Sequence, residues 1–433
     1  MIFYSLKKDY SYKNLLSVNH YKARHASPPA TPEAAAHYIY CNTVTDCIQL
    51  GRELEAKGMA NILERLPEAS IHRWPGFPVE LGVPNAGEFE RNQYVSGLIP
   101  GDSRLTETPR VSLKKQLQKL GGRELRIAVV NGVGGGIGDT IMGLPALREA
   151  RRVMEAEGRC VRLEMLVSEA TFDRVREVYE AVDFINGVRT LPISLRELCG
   201  YDAFFDTGGL AHRSDFSTLP MVDFFFKLFG IDHRKVPPGR KRIRLKLPRR
   251  VDPVLKRKLR ELKGQGKRLL LFHPLASTPL RSVPQAETPR LLQALVDDGR
   301  YQVIVMAPVG CDDDRVIDLT ACSGTRAGLI YLVSQMDAIL TVDTSVYHLA
   351  DCFDVPSIVW FTSIDPELRL KYYPYARGIV LPGARELPTF SKNTPKAGDD
   401  LEPVFRLWER LDMRECLDQL EELVALREQG RTR

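Results

Sequence analysis

No two of the eight cysteines are spaced C-x-x-C. Cys41, Cys47, Cys160, Cys199, Cys311, Cys322, Cys352 and Cys416 are scattered through 433 residues. That scatter argues against a zinc site and for free thiols in a reducing compartment. No run of 18 apolar residues occurs, so no transmembrane helix is expected. The opening "MIFYSLKKDYSYKNLL" lacks the basic start, apolar middle and small-residue cleavage site of a signal peptide, and cytoplasmic location is the expectation. Short-period repeats and low-complexity tracts are missing as well. There is no large excess of one charge: a net +6 permits anionic partners without demanding nucleic acid.

What is present is a soluble globular composition, 44% hydrophobic and 27% charged, in a chain long enough for two or three domains. Residues 1–120 are irregular, with turns such as "RWPGFPVELGVPNAGEF" and one helical stretch, "TDCIQLGRELEAKGMANILERL". The aromatics of "HRWPGFPVELG" serve either a contact surface or a small internal core. "SLKKQLQKLGGRE" (112–124) reads as a helix and linker. From Arg126 short apolar runs alternate with helical stretches: "RIAVVNG", "RLEMLVS", "ATFDRVREVYEAV", "DFINGV", "DAFFDTGG". A basic, proline-marked segment, "DHRKVPPGRKRIRLKLPRRVDP" (232–253), interrupts them. The alternation restarts with "RLLLFHP", "ETPRLLQALVDDG", "YQVIVMAP", "AILTVD", "SIVWFTS" and "GIVLPG", and closes in a helical tail. Such alternation predicts parallel sheets covered on both faces. The division expected is an accessory module over 1–120 and two Rossmann-like domains, over 121–250 and 251–433. The two α/β domains are expected to face each other across a cleft. The first 120 residues would serve recognition or drive self-association into a homo-oligomer.

"NGVGGGIGDTIMG" places five glycines between residues 132 and 138, after a strand and before a helix. The G-x-G-x-x-G spacing fails, because starting at Gly132 or Gly134 the last position is Ile137 or Asp139. No G-x-x-x-x-G-K-[ST] is present either, which disfavours a dinucleotide or P-loop reading. A glycine turn also lets backbone approach a substrate, and Asp139 then sits at the helix start, on the strand edge where open α/β sheets bind ligands. Its carboxylate is either a base, held as the anion by the helix dipole, or only an N-cap.

"LTVDTSVYHLADCF" repeats the strand–turn–helix arrangement late in the chain. Asp343 ends the strand, Thr344 and Ser345 form the turn, and backbone N–H groups at the helix start suit a diphosphate. His348, one turn in, either reaches the same place or is a satisfied core histidine. "HPLASTPLRSVP" supplies Ser277, Thr278 and Arg281, donors of the kind that bind phosphate oxygens, or else an ordinary polar loop.

"GGIGDTIMGLPALREAR", "HPLASTPLRSVPQAETPRLLQAL" and "VDTSVYHLADCFDVPSIVWFTSIDP" resemble, in order and spacing, the motifs of glycosyltransferase family 9, the ADP-heptose:lipopolysaccharide heptosyltransferases and their relatives. The likeness covers about residues 125–385. It implies a GT-B fold, an acceptor domain followed by a nucleotide-sugar domain, inverting transfer, and no obligatory metal or other cofactor; the nucleotide-diphosphate sugar is the co-substrate. It carries the family's base onto Asp139, with Gly135, Gly136 and Gly138 on the acceptor side. It carries a basic diphosphate contact onto Arg281 and donor contacts onto Asp343, Thr344 and His348, beside Ser277, Thr278 and Ser345. Ser345 stands where the family usually has glycine, and Cys352 where it has alanine, so an altered donor pocket is implied. The acceptor is a glycan, lipid or protein.

Competing readings remain for several features. "GCDDDR" holds an apparent D-x-D, Asp312 and Asp314, that either binds metal with a diphosphate or is a solvated or ribose-contacting loop. "RKRIRLKLPRR" reads as an edge strand with a charged face; it lacks the interleaved aromatics of a nucleic-acid binder, and a peripheral contact with the inner membrane surface is the alternative. Another GT-B activity, such as a nucleotide-sugar 2-epimerase, and a silent nucleotide-sugar-binding protein compete with transfer.

Overall fold

The computed structural model describes residues 2–6, 38–40, 63–66, 74–83, 111–191, 193–210, 213–307, 309, 313–392 and 394–431. The chain divides into two compact units, Met1–Pro237 and Pro238–Arg433.

The strands of the first unit are β1 (Ile2–Leu6), β2 (Tyr38–Tyr40), β3 (Leu63–Leu66), β4 (Val79–Leu81), β5 (Glu124–Val130), β6 (Cys160–Ser168), β7 (Gly187–Leu191), β8 (Ile193–Ser194) and β9 (Ala203–Asp206). Five of them make a parallel sheet in the order β4-β9-β5-β6-β7. Ile127–Val130 and Leu163, Met165, Leu166 and Val167 are all buried, as strands covered on both faces must be. The order reverses at β5: β6 and β7 lie to one side, β9 and β4 to the other. This is the topological switch point, where a crevice opens beyond the strand ends. The other four strands pair antiparallel in the order β3-β1-β2-β8.

Two expectations for the N-terminal region need correction. The helix read over 45–66 ends in a strand, since Leu63–Leu66 pairs with β1; the rest of it lies outside the described residues. The expected division at residue 120 is also not where the chain parts. Val79–Leu81 is an edge strand of the first parallel sheet, paired with Ala203–Phe205. The helix Leu113–Leu117 holds it there: the Gln116 amide donates to the Gly82 carbonyl and accepts from the Gly82 N–H, each at 2.8 Å. A sheet edge needs its ladder partner whatever the chain distance, and a three-residue strand is too short to be read from alternation.

The second unit contains β10 (Arg268–His273), β11 (Tyr301–Val305), β12 (Val316–Asp318), β13 (Ala338–Val342), β14 (Ser357–Phe361) and β15 (Ala376–Val380). All pair in parallel, in the order β12-β11-β10-β13-β14-β15. That is the Rossmann order, three strands outward from β10 on one side and three on the other, with the switch point between β10 and β13. Phe272, Trp360 and Trp408 stack edge to face through the core, and the Met413–Arg431 helix covers it with Cys416, Leu417, Leu420 and Val424. Two Rossmann-like α/β units are therefore present, as the alternation predicts. Among the described residues no helix is long and apolar enough to cross a membrane.

The basic run is not an edge strand. Residues 241–250 form no ladder, although the alternation survives in burial: Lys241, Ile243 and Leu245 are buried, while Arg244 and Lys246 are exposed. The charges have partners in the same unit instead. Arg242 grips Asp351 (2.7 Å) and Asp354 (2.7 Å), Arg244 pairs with Asp354, and the Lys241 ammonium donates to the Tyr372 hydroxyl (2.8 Å).

Candidate functional site

In the first unit the turn after β5 winds left-handed. Asn131 and Gly132 have φ of 68° and 64°, and Gly134 has 103°. A Cβ on Gly134 would lie 2.4 Å from the Cβ of Asp139, so only glycine lets that aspartate occupy its place. The helix Ile137–Ala156 begins directly after Gly136, putting Asp139 in its first turn, where the helix dipole favours the anion. It is not the N-cap, because Gly136 holds that position, and no side chain caps the helix. Gly135, Gly136, Gly138 and Asp139 are half-buried. Gly143 lets this helix close on the turn: a Cβ there would lie 2.6 Å from the Val133 Cβ.

Across the switch point β9 ends in Asp206, which accepts from the Asn131 side-chain amide (3.1 Å) and the Gly208 N–H (2.9 Å). Asp206 and Asn131 are missing from the residues read out of the sequence. The signal was there: "AFFDTGG" ends a strand in Asp-Thr, as "AILTVDTS" does at the corresponding place in the second unit.

In the second unit the loop after β10 and the end of β13 meet at the other switch point. Arg281 Nη1 donates to the Asp343 carboxylate (3.1 Å) and to its carbonyl (3.2 Å), while Nη2 donates to Ser277 Oγ (2.6 Å). Nε lies 3.5 Å from Thr278 Oγ1. Four of the residues predicted from sequence are thus one hydrogen-bonded group. Thr344 caps the Ser345–Cys352 helix without using its side chain, and Thr344 and Ser345 are half-buried. Both follow Asp343 directly in the chain, at the start of that helix. The buried Thr362 hydroxyl, also unforeseen, donates to the Leu280 carbonyl (2.6 Å) and holds the loop from the end of β14.

Burial by itself would raise the Asp343 pKa. The guanidinium groups of Arg281 and Arg369 and the Tyr347 hydroxyl, which donates at 2.9 Å, outweigh it and hold the carboxyl below the ordinary range. His348 is placed differently from its neighbours. Only 3% exposed, it bonds through Nδ1 to the Tyr373 hydroxyl (2.7 Å) and lies against the Tyr347 ring, with centroids 4.0 Å apart. Burial lowers its pKa to about 3, so the ring is neutral at physiological pH. Of the two readings of this residue, its surroundings are those of a packed core histidine lying beneath the site.

Residues 221–398 match the family model described as Glycosyltransferase family 9 (heptosyltransferase). That stretch is similar to the family 9 glycosyltransferases. The matched segment includes the whole Ser277–His348 group; the glycine turn and Asp139 lie upstream of it. No curated protein matches the chain. Among solved structures, E. coli ADP-heptose lps heptosyltransferase II is 15% identical, with a TM-score of 0.49, over 70% of this chain and 99% of its own. A family 9 glycosyl transferase from Veillonella parvula is 12% identical, with a TM-score of 0.49, over 71% of this chain and 99% of its own. The dodecameric iron-containing heptosyltransferase TibC in complex with ADP-D-beta-D-heptose is 15% identical, with a TM-score of 0.44, over 75% and 82%.

The acidic loop of the second unit is engaged on its own surface. Asp313 is bound by Arg315 at 2.6 Å, Asp314 is exposed, and Asp312 lies outside the described residues. Among the described residues no group of three His, Cys, Asp or Glu side chains is placed to hold a metal ion.

Proposed function

We propose that this glycosyltransferase moves a sugar, a heptose or a related one, from a nucleotide-diphosphate donor to a hydroxyl of a glycan, lipid or protein acceptor, with inversion and without a metal. The observation that carries the reading is the Arg281–Asp343–Ser277–Thr278 group at the switch point of the second unit. Asp343 and Ser277 preorganise the guanidinium before any ligand arrives, and an aligned cation costs no reorganisation when charge develops. A second N–H on Nη2, the Thr344 and Ser345 hydroxyls and the Ser345–Cys352 helix start are then available to diphosphate oxygens.

The chemistry asks two things of the protein. As the bond between the anomeric carbon and the diphosphate oxygen breaks, the bond electrons leave with the nucleotide, and the Arg281 cluster stabilises that charge. As the acceptor oxygen attacks from the opposite face, it loses its proton to Asp139, the general base. The glycine turn lets the acceptor come within reach of that carboxylate. His348 supports the site from below and keeps Tyr347 aimed at Asp343.

The test is turnover of a panel of ADP-, GDP- and UDP-sugars with glycan, lipid and protein acceptors, measured as nucleotide diphosphate released. One pair should give acceptor-dependent release that persists in EDTA. Asp139→Asn should lower it roughly 10²–10⁴-fold, the usual worth of a general base. Release that survives Asp139→Asn at more than half the wild-type rate would remove Asp139 from the mechanism.

A further inference from the structure

Beyond the groups that would touch substrate, two buried hydroxyls hold the glycine turn from opposite sides, and neither belongs to a motif. Thr207, the residue after β9, shares its hydroxyl proton between the carbonyls of Val130 (2.9 Å) and Gly132, and its own N–H donates to Val130 (3.2 Å). Tyr179, from the Glu169–Glu180 helix, accepts the Val133 N–H at 2.9 Å. Both side chains are almost fully buried, at 3% and 0% exposed. The Gly132 carbonyl and the Val133 N–H are the two ends of one peptide unit, so the two hydroxyls hold that unit from both ends, and Thr207 also holds the unit before Asn131, within the stretch that turns left-handed. Left-handed residues leave their carbonyls and N–H groups outside any strand or helix ladder, so the turn depends on such side-chain partners, the Asn131–Asp206 bond among them. Its outer limb is tied by Arg174, which donates to the Gly135 carbonyl at 3.1 Å. Gly132 leaves no slack: a Cβ there would be 2.8 Å from the Tyr179 hydroxyl and 2.9 Å from Val167.

We infer that Thr207 and Tyr179 are positioning residues for the transfer reaction: by locking the turn 130–133 through its backbone, they fix where Asp139 stands relative to an acceptor hydroxyl. This rests on the reading of Asp139 as the base. The Asp139 backbone follows the turn within six residues, and Gly134 and Asp139 are in contact. A turn that relaxes by an ångström therefore moves the carboxylate by a similar amount, a displacement worth about 100-fold in rate. Donor affinity should not change, because the donor-binding group is built in the second unit.

The test compares Thr207→Val, which keeps the shape and removes the hydroxyl, with Thr207→Ser, which keeps the hydroxyl, in the full chain. Tyr179→Phe serves as an independent second variant should Thr207→Val fail to fold. Thr207→Val and Tyr179→Phe should each lower kcat by roughly 10–100-fold with the donor KM within about twofold of wild type, a reduced share of the 1 Å penalty. Thr207→Ser should keep more than half of the wild-type kcat. Wild-type kcat in both hydroxyl-free variants would overturn the inference, and so would parallel losses in kcat and donor affinity. Asp139→Asn separates the two layers. If it is inactive while the hydroxyl-free variants are active, only the positioning role fails. If it too is active, the assignment of the base itself has failed.

Discussion

At the residue scale the two aspartates that matter are held in opposite ways. Asp139 is half-buried in the first turn of a long helix, where the helix dipole favours the anion. Asp343 is buried, paired with Arg281 and held anionic. His348 adds a measurable consequence. Its folded pKa of about 3 is below the ordinary 6.5, so the unfolded chain binds its proton first. The stability this residue contributes is fully present above 6.5 and is lost as the pH falls toward 3. Between pH 7 and pH 5 that loss is about 2 kcal/mol. The raised pKa of Asp351, about 7, works in the opposite direction over the same range, so the residue must be isolated by substitution. Urea unfolding of wild type and His348→Gln at pH 7 and pH 5 should show the variant losing about 2 kcal/mol less. An identical pH dependence in both would mean that the histidine is not held neutral.

At the scale of elements, the conformation of the glycine turn is dictated by single atoms. Gly134→Ala adds a methyl at φ 103° and drives it into Asp139. Turnover should fall by roughly 100-fold, the effect of a base displaced by about an ångström, with nucleotide affinity unchanged. Turnover within threefold of wild type would show that the carboxylate need not stand where it does. Strand–helix alternation made β5, β6, β9, β10, β11, β13 and β14 legible in the sequence, because each is a buried apolar run ending in a polar turn. The edge strands β4, β8 and β12 have three residues or fewer and carry no periodic signal. The basic run shows the converse failure. Its alternation is real, but it reflects side chains docking on Asp351, Asp354 and Tyr372 from an extended segment, and sequence period does not distinguish that from a ladder.

At the scale of the whole molecule, two Rossmann-like units place their switch points after strands ending in Asp-Thr, and the candidate residues gather at both. Ser277, Thr278, Arg281 and Asp343 were legible because phosphate-binding donors cluster in strand-end loops. Asn131, Asp206 and Thr207 were not, because their value comes from which strand lies next to β5. The integration of β4 changes what truncation should do. A chain beginning at Ser112 lacks the partner of β9 and leaves Gln116 facing nothing, so it should express with less soluble protein than a chain beginning at Trp74, which keeps the strand. Equal solubility of the two would mean that the edge strand is dispensable.

The central claim is that the switch point of the second sheet binds a nucleotide diphosphate through Arg281, and calorimetry with ADP, GDP and UDP measures this without knowledge of the acceptor. Arg281→Ala also strands the buried Asp343 carboxylate, a change that can cost about 3–5 kcal/mol of stability. The comparison therefore uses Arg281→Met with Asp343→Asn, which removes both charges together. The account predicts that at least one nucleotide binds the wild-type protein and that the neutralised pair weakens it by tenfold or more while the protein stays folded. Equal affinity in the two, or no binding of any nucleotide to the wild type, would contradict it.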